Sequence, residues 1–241
     1  MNYRIRKTCL LLLACIACSC ALNAQTTTTK AWEITYRPVM EMQKSNATTD
    51  SDSSDFIIKA FTEELAAYLK KDSAPALHCF LADTRLRIET NDMSHTIELG
   101  NKKDSTSFIL NVGDSSVTKT TLLRPNLAYV GDSMIVLDDS SYRITLTEDT
   151  ASFAGIVCKK ARIEILPLAD KDSDIFVWYA PNLPQMYWDK YNYLAHIPGC
   201  ALAILSQSRG TQLGIKAVTA REVTVPNALF ELPKGYKISE Y

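Results

Sequence analysis

Three histidines and three cysteines carry most of the nucleophilic and metal-binding chemistry open to this 241-residue chain once its first 24 residues are set aside. His78, His95 and His196 belong to no Gly-x-Ser-x-Gly or comparable nucleophile motif. Cys79, Cys158 and Cys200 leave a Cys–His pair with His78 or His196 open, but neighbours such as His78 and Cys79 point to opposite faces of a strand. Polar residues at strand ends are the plainer account. No His-x-His, His-Glu-x-x-His or Cys-x-x-Cys follows residue 24, so no metal site is expected. Only eight glycines occur, none in a Gly-x-Gly-x-x-Gly or Gly-x-x-x-x-Gly-Lys cradle, which removes the usual dinucleotide and P-loop chemistry. Aspartates concentrate in turns, and Glu89, Glu98 and Glu164 alternate with apolar neighbours as on the solvent face of a strand. The expectation is a chain that is not an enzyme, with a hydrolase as the third reading and no catalytic residue, cofactor or metal assigned.

Binding chemistry is better represented. The stretch FVWYAPNLPQMYWDKYNYLAHIPGC, residues 176–200, holds seven of the chain's 21 aromatic residues in its first 18 positions. Leu183, Tyr187, Tyr191 and Leu194 recur at helical spacing, which predicts a short helix over 184–194 with Pro184 in its first turn. Such a segment either covers a central strand or closes over an apolar ligand. On the ligand reading, Phe61, Leu65, Trp178, Tyr187, Trp188 and Tyr191 line or cover the site.

The elements that would position these residues are mostly strands. AWEITYRPVMEM alternates, with Trp32, Ile34 and Tyr36 on one face, and Pro38 marks an edge or a bend. Residues 43–55 are Ser/Asp-rich and read as an exposed polar loop. Residues 55–71 form the one long predicted helix, with Ile57, Phe61, Leu65 and Leu69 on a stripe and Pro75 just beyond. From Leu77 to Leu166, turn signals near 82, 100, 113, 124, 131, 138 and 147 (the last TEDTAS) arrive every 8 to 14 residues, the rhythm of antiparallel strands. In IVCKKARIEI the apolar parity changes between Cys158 and Ala161, which predicts a bulge near Lys159 or Lys160. DIFVWYA and CALAIL are apolar on both parities and read as central strands; Leu213, Ile215, Ala217, Val223 and Val225 share one parity. One core and one domain, 25–241, are expected.

Residues 1–24 read as an export signal, with Arg4, Arg6 and Lys7 ahead of an uncharged run from Cys9 to Leu22 and a junction after Ala24. A lipobox-like Leu12-Leu13-Ala14-Cys15 gives the alternative, a lipid-anchored outer-membrane form. Removing the signal takes three of 26 basic residues and none of 27 acidic ones, leaving a net charge of −4. With no basic run, nucleic acid is not an expected partner, and the expected location is periplasmic. No later stretch is long and apolar enough for a transmembrane helix. Three cysteines then allow one disulfide or three buried thiols. Asp72-Ser73-Ala74, Asp132-Ser133-Met134 and Asp149-Thr150-Ala151 have the form of bacterial O-glycan acceptors as well as of ordinary turns.

AGIVCKKA at 154–161, VWYAPNLP at 177–184 and IPGCALAI at 197–204, in that order, resemble the boxes of the GLPGLI-type family of exported bacterial proteins, or a neighbouring subfamily. The box here reads Ile197-Pro198-Gly199-Cys200-Ala201-Leu202, and Ile156 stands where Tyr is common in the family. The resemblance implies a mainly β fold like that of lipoprotein carriers: a single curved antiparallel sheet, an incomplete barrel, packed on one long helix and one short helix. It implies an apolar or amphipathic small ligand (lipid, acyl chain or lipoprotein) in the hollow of that sheet. A cell-envelope protein–protein interaction module with a solid core and an exposed aromatic patch is the alternative.

Overall fold

The computed structural model describes residues 27–42, 77–91, 95–130, 132–171, 174–208 and 211–240. The predicted signal and the predicted 55–71 helix, with Phe61 and Leu65, lie outside these residues. Fourteen strands are described: β1 Thr28–Met42, β2 Leu77–Leu81, β3 Arg85–Asn91, β4 His95–Asn101, β5 Thr106–Asn111, β6 Ser116–Thr121, β7 Asn126–Val130 and β8 Ser133–Leu137. They continue with β9 Tyr142–Phe153, β10 Ile156–Ile165, β11 Asp174–Ala180, β12 Cys200–Ser208, β13 Thr211–Pro226 and β14 Lys237–Glu240. Twelve form one open sheet in the order β14-β6-β5-β4-β3-β2-β1-β13-β12-β11-β10-β9, and β7 and β8 form a separate hairpin. The expected mainly β class holds, but the large sheet is mixed, because β14 runs parallel to β6 while every other pair is antiparallel. No helix among the described residues is long and apolar enough to cross a membrane.

The sheet curls around its main core. Leu86 and Ile88 on β3 share one buried cluster with Cys158, Ala161 and Ile163 on β10, six ladder steps away. A flat sheet would separate those strands by roughly 29 Å at about 4.8 Å per step. Lys102, after β4, closes the same span by donating from Nζ to the Gln185 carbonyl, 2.7 Å, beyond the end of β11. Tyr36 on β1 reaches across β13 to β12, where its buried hydroxyl donates to the Ala201 carbonyl at 2.6 Å. Two smaller clusters exist beside the single core expected. One joins Ile97, Leu99, Leu110 and Val117; the other joins Ala31, Ala82 and Val225.

Several strand details arise from local chemistry. The bulge expected in β10 occurs, the register shifting between Lys159 and Ala161, so that Cys158, Ala161 and Ile163 all face the core. TEDTAS makes no turn: β9 runs through it, because a sheet edge lets Glu148, Asp149 and Thr150 face water without breaking the ladder. The chain reverses instead at Ala154 and Gly155, both at positive φ, a two-residue hairpin turn. Pro38 sits where β1 has lost β2 as a neighbour, since that pairing covers only Trp32–Tyr36; its missing N–H costs no ladder bond there. A second shift, opposite Thr35 and Tyr36, leaves Val218 of β13 unpaired and exchanges the two faces of the strand on either side of it. Ala217 therefore faces the main core, while Val225 packs in the small cluster on the other face.

Glu98 corrects the solvent-face reading. Its carboxylate is buried on β4 and accepts from the Ser107 hydroxyl at 2.6 Å, and burial pushes its pKa above the ordinary 4.5. A carboxyl that binds its proton more tightly folded than unfolded loses stability as pH rises from about 4.5 through the raised value. Glu98→Gln should remove that slope and stabilise the protein at pH 7, measured by urea melts between pH 4 and 8. An unchanged slope would show that Glu98 is not its source.

Candidate functional site

The aromatic stretch is not the predicted helix. Residues 184–188 are non-helical, Trp188 itself fully extended, and a kinked 3-10 segment follows at Asp189–His196. Gln185 fixes this segment by donating from Nε2 to the carbonyls of Ala195 and Ile197, at 2.6 and 2.9 Å. Asn192 fixes its middle, donating to the Arg124 carbonyl at 2.8 Å and accepting from Asn126 at 2.9 Å. With Asn192 turned toward β7, its neighbours Tyr191 and Tyr193 stand over the ends of β11, β12 and β13.

There they wall an open groove of about 310 Å³, lined by Ile175, Tyr191, Tyr193, Ile204, Ser206, Leu213, Gly214 and Ile215. Ile175, Ser206 and Leu213 form one cross-strand row, and Ile204 opposite Ile215 begins the next. Gly214 is required by close approach, since a Cβ there would collide with the Ile204 carbonyl. Tyr191 and Tyr193 meet edge to face at 6.2 Å, Tyr193 packs tilted against Tyr142 at 5.5 Å, and Trp188 lies 4.7 Å behind Tyr191. Burial pushes the phenols of Tyr191 and Tyr193 upward, so both stay neutral at physiological pH. Among the described residues, no ionisable side chain other than these phenols lines the groove. It can hold apolar surface and offer a hydroxyl from Ser206, and among the described lining residues no acid or base stands beside that hydroxyl to activate it.

Of the four sequence candidates among the described residues, Tyr191 alone lines the groove, and Phe61 and Leu65 lie outside them. Tyr187 and Trp188 are buried in the main core. Trp178 is on the opposite face of β11 from buried Val177 and Tyr179, half-buried against Phe153 with Lys160 Nζ 5.5 Å over its ring. The stretch therefore does not form the exposed aromatic patch that the interaction reading requires. Sequence reasoning missed Tyr193, Ile175, Ile204, Ser206, Leu213 and Ile215 as groove residues, although the all-apolar run of β12 and the single apolar parity from Leu213 to Ala217 in β13 signalled the rows.

The nucleophile candidates stay apart. β2 sends His78 outward to Glu33, 3.0 Å from Nε2 to carboxylate, and Cys79 into the core. A hydrogen bond from Arg221 at 2.6 Å holds the Glu33 carboxyl below its ordinary range. All three cysteines are unbridged and buried. Burial pushes the Cys200 thiol up to about 12 and Cys158 up to about 11, and Cys79 rises for the same reason. Among the described residues no group of His, Cys, Asp and Glu is placed to hold a metal ion.

The three family-like boxes fall on adjacent strands. Gly155 makes the β9–β10 turn, Ala180 at the end of β11 pairs with Cys200, and Gly199 at φ 144° turns the chain into β12. No family model matches the chain. No curated protein matches it either. Solved structures show a distant likeness in fold. PNGF-II is 12% identical, with a TM-score of 0.49, over 88% of this chain and 31% of that one. The chain thus spans about a third of that protein. An uncharacterized conserved protein from Thermus thermophilus is 8% identical, TM-score 0.45, over 90% and 92% of the two chains. A putative outer membrane lipoprotein-sorting protein domain from Vibrio parahaemolyticus is 9% identical, TM-score 0.27, over 80% and 85%.

Proposed function

We propose that the protein is an exported, non-catalytic binder of an apolar or amphipathic ligand, a lipid, acyl chain or lipoprotein, whose apolar part lies in the groove beneath Tyr191 and Tyr193. The observation that carries this reading is the groove itself: apolar rows from three strands, walled by aromatic side chains and lined, among the described residues, by no acid or base. Its volume, about 310 Å³, falls at the small end of ligand sites, roughly 300–1,000 Å³. That suits one acyl tail or ring better than a whole lipid. Buried thiols with raised pKa and a His78 held by Glu33 support the non-catalytic part. Membership of the GLPGLI-type family or a neighbour, and a periplasmic or lipid-anchored location, belong to the same proposal and rest on the three boxes and the N-terminal sequence.

Ser206 provides the test because it lines the groove yet is exposed, so a larger side chain there fills the groove without overpacking the core. Ser206→Trp should weaken binding of a fluorescent polyene fatty acid at least tenfold, with a melting temperature within about 2 °C of the parent. Equal affinity in both proteins, or no binding by the parent, would overturn the groove as the ligand site.

A further inference from the structure

The β7–β8 hairpin presents an apolar face that the groove does not use. Leu127 is 60% exposed and Tyr129 69% on β7, and Met134 is 58% and Val136 61% on β8. The register sets Leu127 opposite Val136 and Tyr129 opposite Met134, so the four make a contiguous two-by-two face. The inner side is already satisfied: Ala128 and Ile135 pack against the main core and Leu137 is buried in it. Among the described residues β7 and β8 pair only with one another. A contiguous apolar patch of this kind, rather than single scattered side chains, is often functional on a protein surface.

We infer that this face is a membrane-contact surface that seats in the interfacial layer of a neutral or zwitterionic bilayer. Size separates this occupant from a second protein chain. Four side chains cover a few hundred Å², well short of the roughly 800 Å² per partner that a stable protein interface buries. Interfacial seating needs only a few aliphatic side chains and an amphipathic aromatic, and Tyr129 with Leu127, Met134 and Val136 has that composition. Charge selects the lipid. Asn126–Leu137 contains no Lys or Arg and Asp132 sits in the turn; Arg124 precedes the hairpin and Asp138 and Asp139 follow it, so residues 124–139 carry one basic side chain against three acidic ones. A cluster of basic residues of the kind that draws proteins to anionic lipid is missing here, and the net negative balance opposes it.

The hairpin is also tied to the groove wall, through Asn126 bonded to Asn192, the residue between Tyr191 and Tyr193. The surface nevertheless stands on the hairpin alone, whether or not the groove binds a ligand.

The experiment is flotation of the chain from Gln25 on, which includes every described residue, with phosphatidylcholine vesicles and with vesicles containing a third of phosphatidylglycerol. The parent should float with phosphatidylcholine, little affected by 0.5 M salt, and less well with the anionic mixture. Tyr129→Asp with Met134→Asp should reduce flotation about tenfold, and exposed positions make folding of this variant expected, checked by its melting curve. Ser206→Trp should float like the parent, which separates failure of this surface from failure of the groove. A parent that stays at the bottom, a double variant that floats equally, or stronger binding to anionic vesicles abolished by salt would each overturn the inference. So would a dimeric parent turned monomeric by the double substitution, because the face would then belong to a second copy.

Discussion

Gly199→Ala is expected to lower the melting temperature by on the order of 10 °C, while the same change at Gly155 should cost only a few degrees. Both glycines have positive φ, 144° and 79°. They differ in what surrounds them. A Cβ on Gly155 meets nothing within 4 Å, so its cost is conformational, about 1 kcal/mol. A Cβ on Gly199 would collide with the Ala180 carbonyl and come within 2.8 Å of the Pro181 Cα, both of them backbone. Neither atom can swing aside as a side-chain tip would. Strain at this φ and overlap with the backbone together cost about 4 kcal/mol. Relief must come from the first pair of the β11–β12 ladder, Ala180 with Cys200, next to the Tyr36 bond to Ala201. Thermal melts of the two variants test this, and equal losses would show that crowding at Gly199 is not what fixes the residue.

The two glycines also mark what one sequence can reveal. A glycine before Cys200 is visible, but whether its neighbour is solvent or the Ala180 carbonyl depends on the β11–β12 pairing. The β10 bulge was legible because a parity change inside ten residues has few causes besides an extra residue in the strand. β12 was legible as a central strand because Cys200–Leu205 is apolar on both faces, and all six residues are buried. The bulge at Val218 was not legible, because Leu213 to Val225 keeps a single parity in sequence while the unpaired residue reverses the faces. TEDTAS was misread for the opposite reason, since a polar run on an edge strand has the composition of a turn. The groove needed both kinds of information. Its rows lie on three strands, and its wall is Tyr191 and Tyr193 because Asn192 between them is drawn away to Asn126 and the Arg124 carbonyl. Helical spacing selected Tyr187 and Tyr191 instead, and the extended backbone through Trp188 removes that period. Glu98 escaped for want of its partner, because alternation alone makes it a solvent-facing residue and only β5 supplies Ser107.

Trp188 joins the core to the groove wall, and Trp188→Ala should cost about 3–5 kcal/mol whether or not any ligand is present. The indole is 5% exposed, belongs to the main core and lies 4.7 Å from the Tyr191 ring. Its carbonyl accepts from the Tyr191 N–H at 2.8 Å, so the first turn of the 3-10 segment starts from this residue. Removing the indole leaves a cavity directly behind the groove wall, and the wall should sag into it. Ligand affinity would then fall along with stability, through the position of Tyr191 and without any contact between the indole and the ligand. Trp178→Ala is the contrast: a half-buried ring on the opposite face of β11 should cost less than half as much and leave binding intact. Urea melts of both variants, read with the slope held equal, and titration with the polyene fatty acid distinguish these outcomes. Should Trp188→Ala lose less than about 1 kcal/mol while binding is abolished, the indole would be a ligand contact, and the lid drawn from the aromatic stretch would return. A large loss of stability together with weakened binding makes Trp188 the residue that holds the wall and leaves Tyr191 and Tyr193 as the residues that touch the ligand.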